Sequence, residues 1–201
     1  MEIKRISLGV YAANCYILID ENTKEAAVID PGANGEVLVK EIDKLGVSIK
    51  YILLTHGHMD HVDAVDAVKE KYDVPVYINS MDKKMMGAGE NVFGAMWKED
   101  NKDNVIKEGD ILTLGNLQIK CIDTPGHTPG GMCFLVENVV FTGDTLFQGS
   151  IGRTDFAGGD FDSLIKNIKE KLIYLSEDTV VLPGHGPESS IKYEKHNNPF
   201  L

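Results

Sequence analysis

Residues 51–61, "YILLTHGHMDH", place His56, His58, Asp60 and His61 within six positions, directly after an apolar, strand-like run. His56 and His58 are two residues apart, so an extended segment presents both rings on the same side. Asp60 and His61 fall where a following helix would begin, and a helix N-terminus favours an ionised carboxylate. A strand end and a helix start thus offer more donors than one ion needs. The remaining partners must come from elsewhere in the chain.

Two other histidines stand in similar surroundings, His127 in "TPGHTPGG" and His185 in "LPGHGPE". Each follows a strand-like run and sits among Gly, Pro and Thr, the kind of strand-end loop where α/β folds keep their ligands. Asp144 in "FTGDTLF" adds a carboxylate at a further strand end. It is suited to bridging two ions roughly 3.5–4 Å apart that share a hydroxide. Taken singly, a histidine near a turn is a surface or core residue, as His196 is expected to be, and Asp144 or Asp30 in "VIDPG" would be an ordinary turn residue. Five histidines in three such loops point instead to metal. Imidazole and carboxylate donors without cysteine fit zinc, iron or manganese, and a set that leaves room for water is the catalytic pattern.

The chain of 201 residues is 43% hydrophobic, enough to fill a sizeable core as one domain spanning 1–201. A net charge of −11 disfavours a nucleic-acid partner. No apolar run of 18 residues is present, which predicts no membrane span. The N-terminus lacks the pattern of a secretion signal, and Cys15, Cys121 and Cys133 are scattered. A cytoplasmic protein with reduced, buried thiols is the expectation.

Strands are predicted at "EIKRISL", "NCYILID", "EAAVID" and "IKYILLT", with a helix over "NGEVLVKEIDKLG" carrying Leu38, Ile42 and Leu45. A second helix is expected over "VDAVDAVKEKYD", with Val65, Val68 and Tyr72 on one side. The second half repeats the order: strands at "DILTLGN", "LQIKCIDT", "GMCFLVEN" and "VVFTGD", then a helix over "DFDSLIKNIKEKLIYL", then the strand of "DTVVLPGHG". Asp160 is the expected cap of that helix, and Phe161, Leu164, Ile165, Ile168 and Leu172 its apolar stripe. Residues 80–108 read as irregular, with Met85, Met86, Phe93, Met96 and Trp97 either lining a substrate mouth or tucking into a small core of their own.

"THGHMDH" followed in order by His127, Asp144 and His185 resembles the metallo-β-lactamase-fold superfamily over essentially the whole chain. The resemblance implies an α/β, four-layer αβ/βα sandwich of two related halves with the site between them. It also implies that His56, His58 and His127 hold one divalent ion and Asp60, His61 and His185 another, bridged by Asp144. Zinc would be the first choice of metal, with iron or manganese fitting the same donors. Asp30 would orient the histidine loop from behind the ligands.

"GDTLFQGSIGRTDF" and the ending "NNPFL" look most like small bacterial relatives of hydroxyacylglutathione hydrolase (glyoxalase II). The chain has no counterpart of that enzyme's C-terminal helical domain. The implied reaction is hydrolysis of a small thioester or ester, with Asp60 orienting the nucleophile or taking up its proton. Arg153 would meet an anionic group on the substrate, the alternative being an ion pair with Asp155 or Asp160. "GRTDF" also resembles persulfide dioxygenases, which hold one iron through residues matching His56, His127 and Asp144; those carry Cys where Ile151 stands. A non-catalytic metal-binding protein is a third reading.

Overall fold

Side chains along β2 (Ala13–Ile19) alternate between two different cores. Cys15, Ile17 and Ile19 join one apolar cluster, whereas Tyr16 and Leu18 join another. Burial of both faces is the property of a strand inside a layered sheet. The same alternation runs through β3 (Glu25–Ile29) and β4 (Ser48–Leu53): Ala26, Val28 and Ile52 face one way, Ala27, Ile29, Tyr51 and Leu53 the other.

The computed structural model describes residues 1–201. With β1 (Glu2–Leu8), β5 (Val76–Asn79) and β6 (Asn104–Ile106), these strands form a sheet in the order β1-β2-β3-β4-β5-β6, parallel from β3 onward. The second sheet runs β14-β13-β10-β9-β8-β7 and comprises β7 (Ile111–Leu114), β8 (Leu117–Asp123), β9 (Met132–Val136), β10 (Val139–Gly143), β13 (Val180–Pro183) and β14 (Ser189–Ser190). A hairpin of β11 (Leu146–Phe147) and β12 (Ser150–Ile151) stands beside it.

Three clusters define four layers. The first packs α1 (Gly35–Asp43) and α3 (Val65–Tyr72) on the outside of sheet one through Leu38, Ile42, Val65 and Val68. The second lies between the sheets and includes Tyr16, Leu53, Ile119, Phe134 and Phe141. The third covers sheet two with α5 (Phe161–Asn167) and α6 (Ile191–Asn197), through Val140, Leu164, Ile168 and Ile191. The architecture is the expected α/β, αβ/βα sandwich. Cys15, Cys121 and Cys133 are buried and unpaired.

Three local expectations need correction. The segment from residue 80 opens with a regular helix, α4 (Ser80–Ala88), and β6 lies within it. Asn79 caps α4 by accepting from Met81 N–H, and Gly89 closes it with a left-handed φ of 69°. Met86, Phe93 and Trp97 are buried in the first cluster, so they serve the core rather than a mouth. The helix expected over 62–73 is broken: α2 (Met59–Val62) ends before α3 begins, because Ala64 leaves helical geometry at φ −102°, ψ 8°. In the last long helix Asp160 does cap, accepting from Ser163 N–H, but Phe161 is half exposed and drops out of the stripe. After Asn167 the chain widens into a π-turn over Ile168–Leu172, which brings Ile168 and Leu172 onto the buried face.

Candidate metal centre

Five strands deliver side chains to one edge of the sandwich from their carboxyl ends. Asp30 follows β3, Thr55 and His56 follow β4, His127 follows β8, Asp144 follows β10 and His185 follows β13. The sheets are tied together there by Asn14 N–H to Gly184 O at 2.7 Å and Met132 N–H to Thr55 O at 2.8 Å. Gly184 is required by crowding: a Cβ there would run into Asp144 Oδ1 and stand 2.7 Å from His61 Cε1.

All seven side chains anticipated as ligands converge. One donor atom each from His56, His58 and His127 lies within 4.8 Å of the others, and the same holds for Asp60, His61 and His185. Asp144 stands between the two groups, with Oδ1 3.4 Å from His61 Nε2, and Oδ2 3.5 Å from His127 Nε2 and 3.6 Å from His185 Nε2.

Acceptors outside the centre fix which ring nitrogen faces in. Asp30 receives Thr55 N–H at 2.8 Å, the Thr55 hydroxyl at 2.5 Å and His61 Nδ1 at 3.0 Å. Because Thr55 Oγ1 spends its proton on Asp30, it accepts from His56 Nδ1–H at 3.0 Å. His127 Nδ1–H donates to Arg153 O at 2.7 Å, and His185 Nδ1–H to Tyr11 O at 3.1 Å. Four rings therefore turn Nε2 inward. His58 is the exception: its Nδ1 faces His127 Nε2 at 3.0 Å. His56 Nε2 and Asp144 Oδ1 are buried with no hydrogen-bond partner.

Buried acceptors left without a donor are costly, and a cation is what satisfies them. The donor set fits a metal on that ground. Electrostatics agree. Burial keeps the His56 and His127 rings neutral and pushes His58 down to about 3. Burial also opposes protonation of His61, yet Asp144, Asp30 and Asp60 outweigh it and raise that ring to about 9. Burial would raise the Asp60 carboxyl, but His185 and His61 hold it at about 2. Neutral His56, His58 and His127 on one side, and carboxylates that draw a proton onto His61 on the other, form an environment built for positive charge.

A cavity of about 660 Å³ opens onto the centre, walled by Tyr11, Met59, Val92, Phe147, Ile151 and Phe156, with Asp60, His58 and Asp144 at its floor. Arg153 is in this wall, stacked 3.8 Å over Phe156 and bound through two nitrogens to Asp155 at 2.7 and 2.6 Å. His196 lies outside the centre, turned to Lys192 O.

Sequence reasoning missed Thr55, although it sits inside the opening motif, and the Tyr11 carbonyl, which no side-chain pattern can reveal. It also missed Asp82. That carboxylate is completely buried and accepts from Gly57 N–H at 2.8 Å and Gly130 N–H at 2.6 Å.

Comparison with known proteins places the chain in a family. The profile of the metallo-beta-lactamase superfamily matches residues 8–185. A Bacillus subtilis protein named "Probable metallo-hydrolase YqgX" is 38% identical over all of this chain and 98% of its own. Hydroxyacylglutathione hydrolase GloC of Haemophilus influenzae shows the same 38% over the same shares. Among solved structures, the BLEG-1 B3 metallo-beta-lactamase superposes with a TM-score of 0.88 at 36% identity, covering 100% of this chain and 99% of that one. TTHA1623, solved in a di-iron-bound form, gives 0.86 at 32%, with coverage of 98% and 100%. ETHE1 from Myxococcus xanthus gives 0.81 at 27%, with coverage of 99% and 84%. The chain belongs to the metallo-beta-lactamase superfamily.

Proposed function

We propose that the chain is a hydrolase that uses two divalent metal ions, zinc first among them, to cleave a small thioester or ester in the manner of hydroxyacylglutathione hydrolase. The observation that carries this reading is the double donor set. Asp60, His61 and His185 form a second triad beside His56, His58 and His127, with Asp144 between them. His56 Nε2, His58 Nδ1 and His127 Nε2 would hold one ion, and Asp60, His61 Nε2 and His185 Nε2 the other. When bound, the pair supplies Lewis-acid polarisation and acidifies a water into the neutral range.

The chain's own groups do the rest. Asp30 fixes His61 and, through Thr55, His56, so both rings meet the centre in one tautomer. Asp60 borders the cavity and orients the attacking water or takes up its proton. The apolar wall of Val92, Phe147 and Phe156 desolvates the reacting carbonyl. Arg153 would receive an anionic end of the substrate. Its present pair with Asp155 is exposed to solvent and therefore readily exchanged.

GloC, a relative named for hydroxyacylglutathione hydrolysis, supports the thioester reading. A second reading, a one-iron persulfide dioxygenase held by His56, His127 and Asp144, draws on the ETHE1 neighbour. The two differ in what Asp60 and His58 must do. Alanine at either position is expected to abolish turnover of S-lactoylglutathione or a simpler thioester. Wild-type rates in either variant would exclude the two-metal hydrolase.

A further inference from the structure

Gly57 separates His56 from His58, and Gly130 lies three residues beyond His127. These two loops come from different sheets, yet between them they bring His58 Nδ1 to 3.0 Å from His127 Nε2. One carboxylate touches both backbones. Asp82, in the first turn of α4, offers Oδ2 to Gly57 N–H at 2.8 Å and Oδ1 to Gly130 N–H at 2.6 Å. Its side chain has no contact with solvent, and it does not line the cavity.

Placing a carboxylate in an apolar interior costs several kcal/mol, so a fold that retains one gains something from it. Two N–H donors 25 and 48 residues away in sequence are matched only by a group with two acceptor oxygens. Asparagine would set an N–H against one of them. Crowding enforces the approach: a Cβ on Gly130 would stand 2.7 Å from both Asp82 N and Asp82 Oδ1. α4 is itself fixed by the Asn79 cap and by Met86 in the first core cluster.

We infer that Asp82 is a positioning residue: by binding Gly57 and Gly130 at once, it clamps the two loops that present His56, His58 and His127 and so sets the spacing of that donor triad. The inference rests on the metal-binding reading of the triad. It assigns α4 a role in the site, although no residue of α4 reaches the cavity floor.

Metal-free wild type and Asp82→Asn are compared in two measurements. Zn²⁺ is titrated against a chromophoric chelator, and the Gly57 and Gly130 amides are followed in ¹H–¹⁵N spectra of the metal-free proteins. In the variant, one glycine amide is expected to shift and exchange faster. One zinc equivalent is expected to bind about 10–100-fold more weakly while the other keeps its affinity. Asp103→Asn, a destabilising change outside the cavity, is expected to leave both affinities unchanged. Wild-type zinc binding in Asp82→Asn would overturn the inference, and so would equal loss of both equivalents in Asp82→Asn and Asp103→Asn. A wild type that binds no zinc would overturn the metal reading itself, and the inference with it. If Asp82→Asn does not fold, Gly130→Ala disturbs the same contact. The same selective loss is expected there, and unchanged affinity would count against the clamp.

Discussion

Asp30 accepts three hydrogen bonds, from Thr55 N–H, the Thr55 hydroxyl and the His61 ring, and is itself held at a left-handed φ of 52°, a conformation aspartate tolerates. Asn in its place keeps the shape but offers one acceptor where three donors arrive. Asp30→Asn is therefore expected to weaken both sides by about 10–100-fold, His61 directly and His56 through Thr55, seen as weaker binding of both metal equivalents in a chelator competition. The loss expected for Asp82→Asn is confined to one equivalent, and identical behaviour of the two variants would contradict this difference in support. The ligand loops are legible in the sequence because each ends an apolar run with Gly, Pro or Thr around a histidine. Asp82 is not, since one aspartate in a Lys- and Met-rich helix looks like a solvated residue until the fold brings Gly57 and Gly130 to it.

At the level of elements, Asp103 anchors the short edge strand β6. It accepts from Lys69 of α3 at 2.6 Å, Trp97 Nε1 at 3.0 Å, Val76 N–H at 2.9 Å and Asp100 N–H at 3.1 Å, with its side chain almost fully buried. Asp103→Asn leaves donors unpaired and is expected to lower unfolding free energy by roughly 2–4 kcal/mol in urea titrations at pH 7. Burial tends to raise the Asp103 carboxyl, but Lys69, Trp97 and the two amides overcome it and hold its pKa below the usual 3.8. A carboxyl lowered by folding stabilises above its unfolded pKa and loses that contribution as pH falls through the folded value. The stability gap between wild type and Asp103→Asn should accordingly narrow below about pH 4; a gap that widens there would contradict this role. Long strands such as β2 and β8 can be read from their apolar runs. β5 and β6, at four and three residues, are too short to carry a period, and α4 is recognisable only through the Asn79 cap and Gly89 stop that bracket it.

Across the whole molecule, the centre lies where the two sheets meet, so each half alone holds an incomplete donor set. Sheet one brings Asp30, His56, His58, Asp60 and His61; sheet two brings His127, Asp144 and His185. The resemblance to the metallo-β-lactamase fold implies this arrangement, the repeated order of strands, helix and metal-capable loop agrees with it, and three apolar clusters pack the layers around it. What the order of elements does not contain is the packing distance between loops, which Asp82 and Asn14 establish through backbone contacts across the sheets and Asp30 within sheet one. The most direct test adds metal stepwise to the metal-free chain and records the initial rate of S-lactoylglutathione hydrolysis at each equivalent. Hydrolysis that climbs until two equivalents are bound is the expected result. No hydrolysis at any loading, with oxygen uptake on glutathione persulfide at a single iron equivalent, would contradict the two-metal hydrolase.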